Sequence, residues 1–214
     1  MEIPLRDRTD PALRVIETML WLPHSGIVRE RRHLGRCQAT CAALGFVYDP
    51  VAVLRQVNRL NGGAPLRLRM TIGQGGDVDL TAQPFDLGVH PELSRLAIST
   101  TRLDQRDPFL RLKTTRRALY DQCYASRPPG IDEVIFFNGQ DELCEGCITN
   151  IFVQVEGQKL TPPVSSGLLP GVLRGSLLGT GEVHEAILTR DDLGRAERIW
   201  IGNSLRGLMP AALA

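Results

Sequence analysis

Leu112-Lys113-Thr114-Thr115-Arg116-Arg117 is the stretch on which the reading of this chain turns. Lys and Arg together number 25 in the 214 residues, yet only Lys113 and Lys159 are lysines. Arginine keeps its proton and is no nucleophile, whereas a lysine amine serves as base or nucleophile once its pKa falls. Lys159 sits in Glu156-Gly157-Gln158-Lys159, a polar turn that suits a solvated charge. Lys113 follows a connector containing Pro108 and precedes a helix-like run. Taken alone it also reads as a solvated charge; a reactive role requires partners elsewhere in the chain.

Working outward, the length suits one compound domain or two modest lobes. The net charge of +1 provides no field for nucleic acid or a membrane surface, so neither is expected as a partner. Met-Glu-Ile-Pro-Leu-Arg-Asp-Arg lacks the apolar core of a signal peptide, and no apolar run approaches the roughly 20 residues that span a bilayer. Cytoplasmic residence is the expectation. Cys37, Cys41, Cys123, Cys144 and Cys147 make an odd count, which argues for free thiols. Cys144-Glu-Gly-Cys147 is a CxxC, but no second ligand pair accompanies it and a strand-like run follows. No metal site is expected.

The periodicities predict a mixed chain. A loose lead-in covers 1–12, then Val15 to Trp21 reads as a strand. Arg29 to Leu44 reads as a helix with Leu34, Cys37, Cys41 and Leu44 inward, stopped by Gly45. A second helix runs from Pro50 to Asn61-Gly62-Gly63. Leu66, Leu68 and Met70 alternate with Arg67 and Arg69, and Gln74-Gly75-Gly76-Asp77 turns the strand back into Val78 to Thr81. Leu96 to Ser99 is another strand, and Arg102 to Arg111 a charged connector. A helix is expected from Thr114 to about Ala125, opened by Lys113. Strands follow at 133–137, 142–144, 148–155 and 158–161, with Asn138-Gly139 as a hairpin turn. A helix from Val172 to Leu178, a strand at Val183 to Ile187, a short helix from Asp191 to Ala196 and a last strand at Arg198 to Ile201 complete the reading. The pattern is α+β without regular βαβ alternation. The expected division is an N-terminal α+β lobe, 1–101, a connector, 102–112, and a larger strand-rich lobe, 113–214.

A lysine that forms a Schiff base with pyridoxal phosphate needs a phosphate site, an acidic group for the pyridine nitrogen and shelter from water. Pro170-Gly171-Val172-Leu173 offers backbone N–H groups at a helix start. Ser204 offers a hydroxyl, Arg36 a bidentate cation and Glu145 a carboxylate. Each also reads as ordinary: a solvated arginine, an edge-strand charge, helix punctuation. His24, His90 and His184 read as surface residues.

Taken together and in order, these segments resemble the fold-type IV, or class IV, pyridoxal-phosphate aminotransferase family over roughly residues 14–214. Glu17-Thr18-Met19 and His33-Leu34-Gly35-Arg36 are similar to its first motif, whose arginine grips the cofactor phosphate. Lys113 resembles its Schiff-base lysine. Glu145-Gly146-Cys147-Ile148-Thr149-Asn150 is similar to the motif whose glutamate pairs with the pyridine nitrogen. Gly167 to Arg174 and Gly202 to Gly207 resemble its phosphate and final cofactor loops. The resemblance implies a two-lobed fold like that of D-amino-acid aminotransferase, pyridoxal 5'-phosphate as cofactor and a homodimer. It implies cofactor contacts from Lys113, Arg36, Glu145, Val172, Leu173 and Ser204, and substrate contacts from Arg206 and Thr18. Within the family the lysine and Asn203-Ser204 segments are most similar to those of aminodeoxychorismate lyases. The implied reaction converts 4-amino-4-deoxychorismate to 4-aminobenzoate and pyruvate. The alternative is transamination of a branched-chain or D-amino acid. A cofactor-free binding protein and a thiol protein using Cys144 and Cys147 are readings from other classes. Two features depart from the family: Ala118 stands where branched-chain enzymes have a tyrosine five residues after the lysine, and the glycine-rich RGY-type stretch is missing near Gln74 to Asp77.

Overall fold

The structure, a computed structural model, describes residue 5 and residues 10–214. The lead-in expected over 1–12 therefore lies largely outside the described residues. Its elements begin with strands β1 (Val15–Leu22) and β2 (Gly26–Ile27), helices α1 (Glu30–Leu44) and α2 (Pro50–Val57), and strands β3 (Leu66–Ile72) and β4 (Val78–Pro84). These strands form one sheet in the order β2-β1-β3-β4. Register sets the faces: Glu17 lies opposite Met70 and Met19 opposite Leu68, while Thr18 lies opposite Arg69. Met19, Leu68, Met70 and Ile72 are fully buried, and α1 buries His33, Cys37, Thr40, Cys41 and Leu44. That spacing follows one helical face. His33, rather than the expected Leu34, takes the inward place, because Glu17 receives it. Gly45 ends α1 in the left-handed conformation, its N–H meeting the carbonyls of Ala42 and Cys41.

Asp49 accepts from the N–H groups of Val51 and Ala52 and Pro50 opens the first turn of α2. This helix stops at Val57, short of the expected Asn61. Arg59 and Leu60 bond three residues back, to Gln56 and Val57, so the helix tightens and ends.

The remaining elements are β5 (Ser94–Leu103), α3 (Ala118–Ala125), β6 (Glu133–Asn138), β7 (Leu143–Gly146), β8 (Asn150–Val155), β9 (Gln158–Thr161), α4 (Val172–Thr180), β10 (His184–Glu185), α5 (Arg190–Gly194), β11 (Arg198–Asn203) and β12 (Gly207–Leu213). They build an eight-stranded sheet in the order β10-β9-β8-β11-β12-β5-β6-β7, in which β7 also pairs with β8. That last pairing closes a ring of β8, β11, β12, β5, β6 and β7. Leu96, Ile135, Phe137, Ile151, Val153, Ile201 and Met209 share one core cluster. The alternate residues of β6, Val134 and Phe136, pack with Leu168 and partly with Tyr120 and Tyr124. The alternate residue of β8, Phe152, packs with Leu173 and Leu177 of α4. Both faces of β6 are covered, which is why Val134-Ile135-Phe136-Phe137 reads as an unbroken apolar run.

Three differences from the expected elements have physical causes. The helix expected from Thr114 starts only at Ala118: Thr114 forms a bridge with Val15, Ile16 donates to the Lys113 carbonyl at 2.8 Å and Thr115 donates to the Arg14 carbonyl at 2.9 Å. Paired threonines suit this extended course. Second, Arg198–Asn203 is not the last strand. β12 follows, and Pro210 conceals it in the sequence; the pairing with β5 begins only at Ala211, so the missing N–H of Pro210 breaks no bond to β5. Third, the strand expected at Val183 to Ile187 shrinks to two residues.

The chain divides into two compact units, one ending at Leu87 and including Leu112–Arg116, the other comprising Gly88–Arg111 and Arg117–Ala214. The division expected at 101 and 112 is thereby corrected: β5 belongs to the second unit through its pairing with β6 and β12, and Lys113 belongs to the first.

Gly202 marks a tight point of the second unit. A Cβ there would lie 2.7 Å from the Gly207 carbonyl oxygen and 2.8 Å from Leu173 Cδ2. Gly202→Ala is expected to cost about 1–3 kcal/mol, read as a lower urea midpoint at unchanged m-value.

Candidate active site

Residues singled out in the sequence fall into both units. In the first, β1 carries Glu17 and Thr18, and α1 carries His33 and Arg36. The Glu17 carboxylate is fully buried and receives Arg36 Nε on Oε1 at 2.9 Å, Arg36 Nη2 on Oε2 at 2.8 Å and His33 Nδ1 on Oε2 at 2.6 Å. The bidentate geometry fixes the plane of the Arg36 guanidinium. Burial pushes Glu17 up, but the Arg36 charge and the hydrogen bonds from His33 and Arg36 outweigh it and hold the carboxyl below its ordinary value. An ionised carboxylate only accepts, so His33 Nδ1 carries the proton it donates. Lys113 is half-buried, on the extended segment that annexes to the start of β1. Lys113, Thr18 and Arg36 are thus organised by one strand. Glu17 and His33, which hold Arg36, were present in the sequence as parts of a motif but carried no signal of burial.

In the second unit, Glu145, Val172, Leu173 and Ser204 are all buried. The Tyr120 hydroxyl donates to Glu145 Oε1 at 2.8 Å, and the Leu169 N–H donates to Oε2 at 3.1 Å. Glu145 reaches this position through a β-bulge. Phe137 pairs with Leu143 and Ile135 with Gly146, so three residues of β7 run beside two of β6. The extra residue re-aims the strand: Leu143 packs in the cluster of Ile135 and Ile151, whereas Glu145 meets Tyr120 on the other side.

Gly146 follows because its neighbour leaves no room. A Cβ there would lie 2.6 Å from Thr149 Oγ1 and 2.9 Å from the Glu133 carboxyl carbon. Glu133 accepts from the N–H groups of Val134, Cys147 and Ile148 and from the Thr149 hydroxyl, at 2.9 to 3.2 Å. Burial pushes Glu133 up, and these four donors oppose the rise without cancelling it.

The loop entering α4 is tied to the same strands. Asn150 Nδ2 donates to the Leu169 carbonyl at 3.0 Å, and any side chain at Gly171 would collide with the Asn150 amide oxygen. No side chain caps α4, so its first turn presents backbone N–H donors. Asn203 closes the β11–β12 turn by accepting from Leu205 and Arg206 at 3.1 and 3.0 Å, and donates to the Ile148 carbonyl at 3.2 Å. Glu145, the α4 start and the Ser204 turn therefore share one end of the closed sheet, joined by Leu169, Asn150, Asn203 and the contact of Gly202 with Leu173. Arg206 is half-buried on that turn. Tyr120, Glu133, Asn150 and Asn203 were not singled out as site residues; they act at long range in the chain, which a linear motif does not express.

Cys144 and Cys147 are buried thiols, not a disulfide. Burial and nearby carboxylates push each up to about 12, which leaves almost no thiolate at neutral pH.

The fold and this arrangement define a class. The family model for Amino-transferase class IV matches residues 14–214, and the chain belongs to that family. A protein of Schizosaccharomyces pombe provisionally named an aminodeoxychorismate lyase is 25% identical over 189 residues, 85% of this chain and 82% of its own. A solved structure from Mesorhizobium loti, provisionally named an amino-acid aminotransferase, is 40% identical with a TM-score of 0.90, covering 94% of this chain and 100% of its own. The 4-amino-4-deoxychorismate lyase of Pseudomonas aeruginosa shares the fold, with a TM-score of 0.76 at 22% identity over 94% of this chain and 82% of its own.

Glu17→Ala removes the buried carboxylate that receives both Arg36 and His33, and is expected to cost about 3–5 kcal/mol in urea unfolding. Because the folded-state pKa of Glu17 is depressed, its contribution is fully present above the ordinary value of 4.5 and is lost as pH falls through the lower folded value. Wild type should therefore lose stability on acidification below about pH 4.5 more steeply than Glu17→Gln.

Proposed function

We propose that the chain is a pyridoxal-phosphate-dependent lyase that converts 4-amino-4-deoxychorismate to 4-aminobenzoate and pyruvate. The carrying observation is the fixed Glu145 carboxylate beside an uncapped helix start and the Ser204 turn, in a chain matching the S. pombe protein along most of both lengths.

The residues fit the cofactor. Glu145 is buried, with its two oxygens oriented by different donors, as a partner for a pyridinium N–H must be. The missing Cβ of Gly171 and the uncapped first turn of α4 suit a phosphate approached by backbone amides. In this reading the N–H groups of Val172 and Leu173, the Ser204 hydroxyl and the Arg36 guanidinium bind the phosphate, and Lys113 Nζ holds the cofactor's carbonyl carbon. When bound, pyridoxal phosphate supplies an electron sink for the pair released at a carbon bearing the amine. Lys113 Nζ would take the proton from that carbon. Glu145 holds the proton on the pyridine nitrogen. Arg206 orients a substrate carboxylate and Thr18 lines the substrate's path. Aromatisation of the product ring drives the reaction, so these groups act mainly by placing charge and fixing orientation. The expected setting is a cytoplasmic homodimer.

A second reading, transamination of a branched-chain or D-amino acid, is favoured by the 40% match to the M. loti protein. Both readings use Lys113, Arg36 and Glu145; in the lyase reading the amine stays on the ring and the enolpyruvyl group leaves as pyruvate, whereas transamination passes the amine to a keto acid.

Incubation of the chain with pyridoxal phosphate and 4-amino-4-deoxychorismate is expected to release 4-aminobenzoate, with the rate falling by about 10³-fold or more in Lys113→Ala. Amino-group exchange with a keto acid in place of 4-aminobenzoate would establish the second reading. Equal activity in wild type and Lys113→Ala would sink both.

A further inference from the structure

Tyr120 lies on α3, in the segment that follows Lys113 and carries part of the family resemblance, and its hydroxyl reaches Glu145 Oε1 at 2.8 Å. Its ring stands edge-on to Phe136, with centroids 5.3 Å apart at 76°. Phe136 is fully buried on β6, the strand beside β7. The phenol is therefore held by packing before it is held by its hydrogen bond. Burial, then the Glu145 charge and hydrogen bond, push its pKa far above the ordinary tyrosine value, so it stays a donor at any working pH.

A carboxylate has room for about four hydrogen bonds, in the plane of its two oxygens. A donor on Oε1 and another on Oε2 restrain the group from rotating about its last torsion. The Leu169 N–H is a backbone group and no side-chain substitution removes it. Tyr120 donates through its side chain, and a substitution can remove that bond.

We infer that Tyr120 is a positioning residue: its hydroxyl sets the plane of the Glu145 carboxylate, and so the strength with which Glu145 engages the pyridine nitrogen of the cofactor. The inference rests on the reading of Glu145 given under the proposed function. It assigns to α3 a part in cofactor binding, and it explains why a tyrosine rather than a phenylalanine occupies a site with apolar neighbours. A bland alternative is that the hydroxyl merely satisfies itself on the nearest acceptor.

Coupling separates the two. Pyridoxal phosphate is titrated into the full-length apo chain, and its dissociation constant is read from the borohydride-reducible absorption, for wild type, Tyr120→Phe, Glu145→Ala and the double variant. Tyr120→Phe keeps the ring against Phe136 and is expected to weaken binding about tenfold, as loss of a hydrogen bond to a charged group does. In the Glu145→Ala background the same change should move the constant by less than about twofold, because its route to the cofactor is gone. Thermal unfolding of the four apo chains checks that each is folded. Equal losses in both backgrounds overturn the inference in favour of a packing role, and so does unchanged binding in Tyr120→Phe. If wild type takes up no pyridoxal phosphate, or Glu145→Ala binds it as wild type does, the reading of Glu145 itself fails, and it fails in arms where Tyr120 is untouched.

Discussion

The pairing of Glu145 with Asn150 closes the ring of the larger sheet. A sheet with open edges exposes rows of unpaired N–H and C=O groups, and closure removes them. Here closure is achieved over a very short span, so the chain must turn from β7 to β8 within Gly146 to Thr149. Such a turn leaves several backbone N–H groups pointing inward with no strand to receive them. Glu133 receives those of Cys147 and Ile148. The residues that make the ring possible are thus the residues of the proposed site: Glu145 on one side of the turn, Asn150 on the other, and between them a glycine that any side chain would force out of place.

The two buried carboxylates that frame these regions are accommodated by opposite physics. Glu17 is balanced by a cation, and attraction to Arg36 together with the hydrogen bonds from His33 and Arg36 overcomes its desolvation. Glu133 meets only neutral donors, which do not cancel the effect of burial. The signs of their shifts differ accordingly, down for Glu17 and up for Glu133. The first arrangement places an oriented guanidinium; the second stiffens a turn with neutral donors alone.

The sequence carried most of the α+β architecture, because period and punctuation are local. Cys37, Cys41 and Leu44 predicted the face of α1, and Asn138-Gly139 the turn before β7. Three features were not legible. Thr114 and Thr115 sit next to a helical run, and only their pairing with β1, about 100 residues earlier in the chain, makes them extended. Pro210 disguised β12, since the register that makes a proline harmless belongs to β5. The bulge in β7 is invisible because Leu143, Cys144 and Glu145 fit an ordinary strand. Of the proposed site residues, Lys113, Arg36, Glu145 and the α4 start were nominated from family-like motifs. Tyr120 and Asn203 stand in such motifs too, but the partners that give them a role, like those of Glu133, lie 25, 55 and 14 to 16 residues away.

The return of Leu112–Arg116 to the first unit has a consequence for how the protein is made. The chain leaves that unit at Leu87, lays down β5 in the second, and comes back to pair Thr114 with Val15 before leaving again. During synthesis the first sheet can form its four strands once β4 has emerged, but the lysine-bearing segment joins β1 only after some thirty further residues. By then β5 is already waiting for partners, β6 and β12, that do not yet exist. A nascent chain halted between residues 103 and 112 would hold a first sheet without its lysine segment and β5 without its partners. Lys113 is thereby joined to β1 only in chains long enough to have begun the second unit.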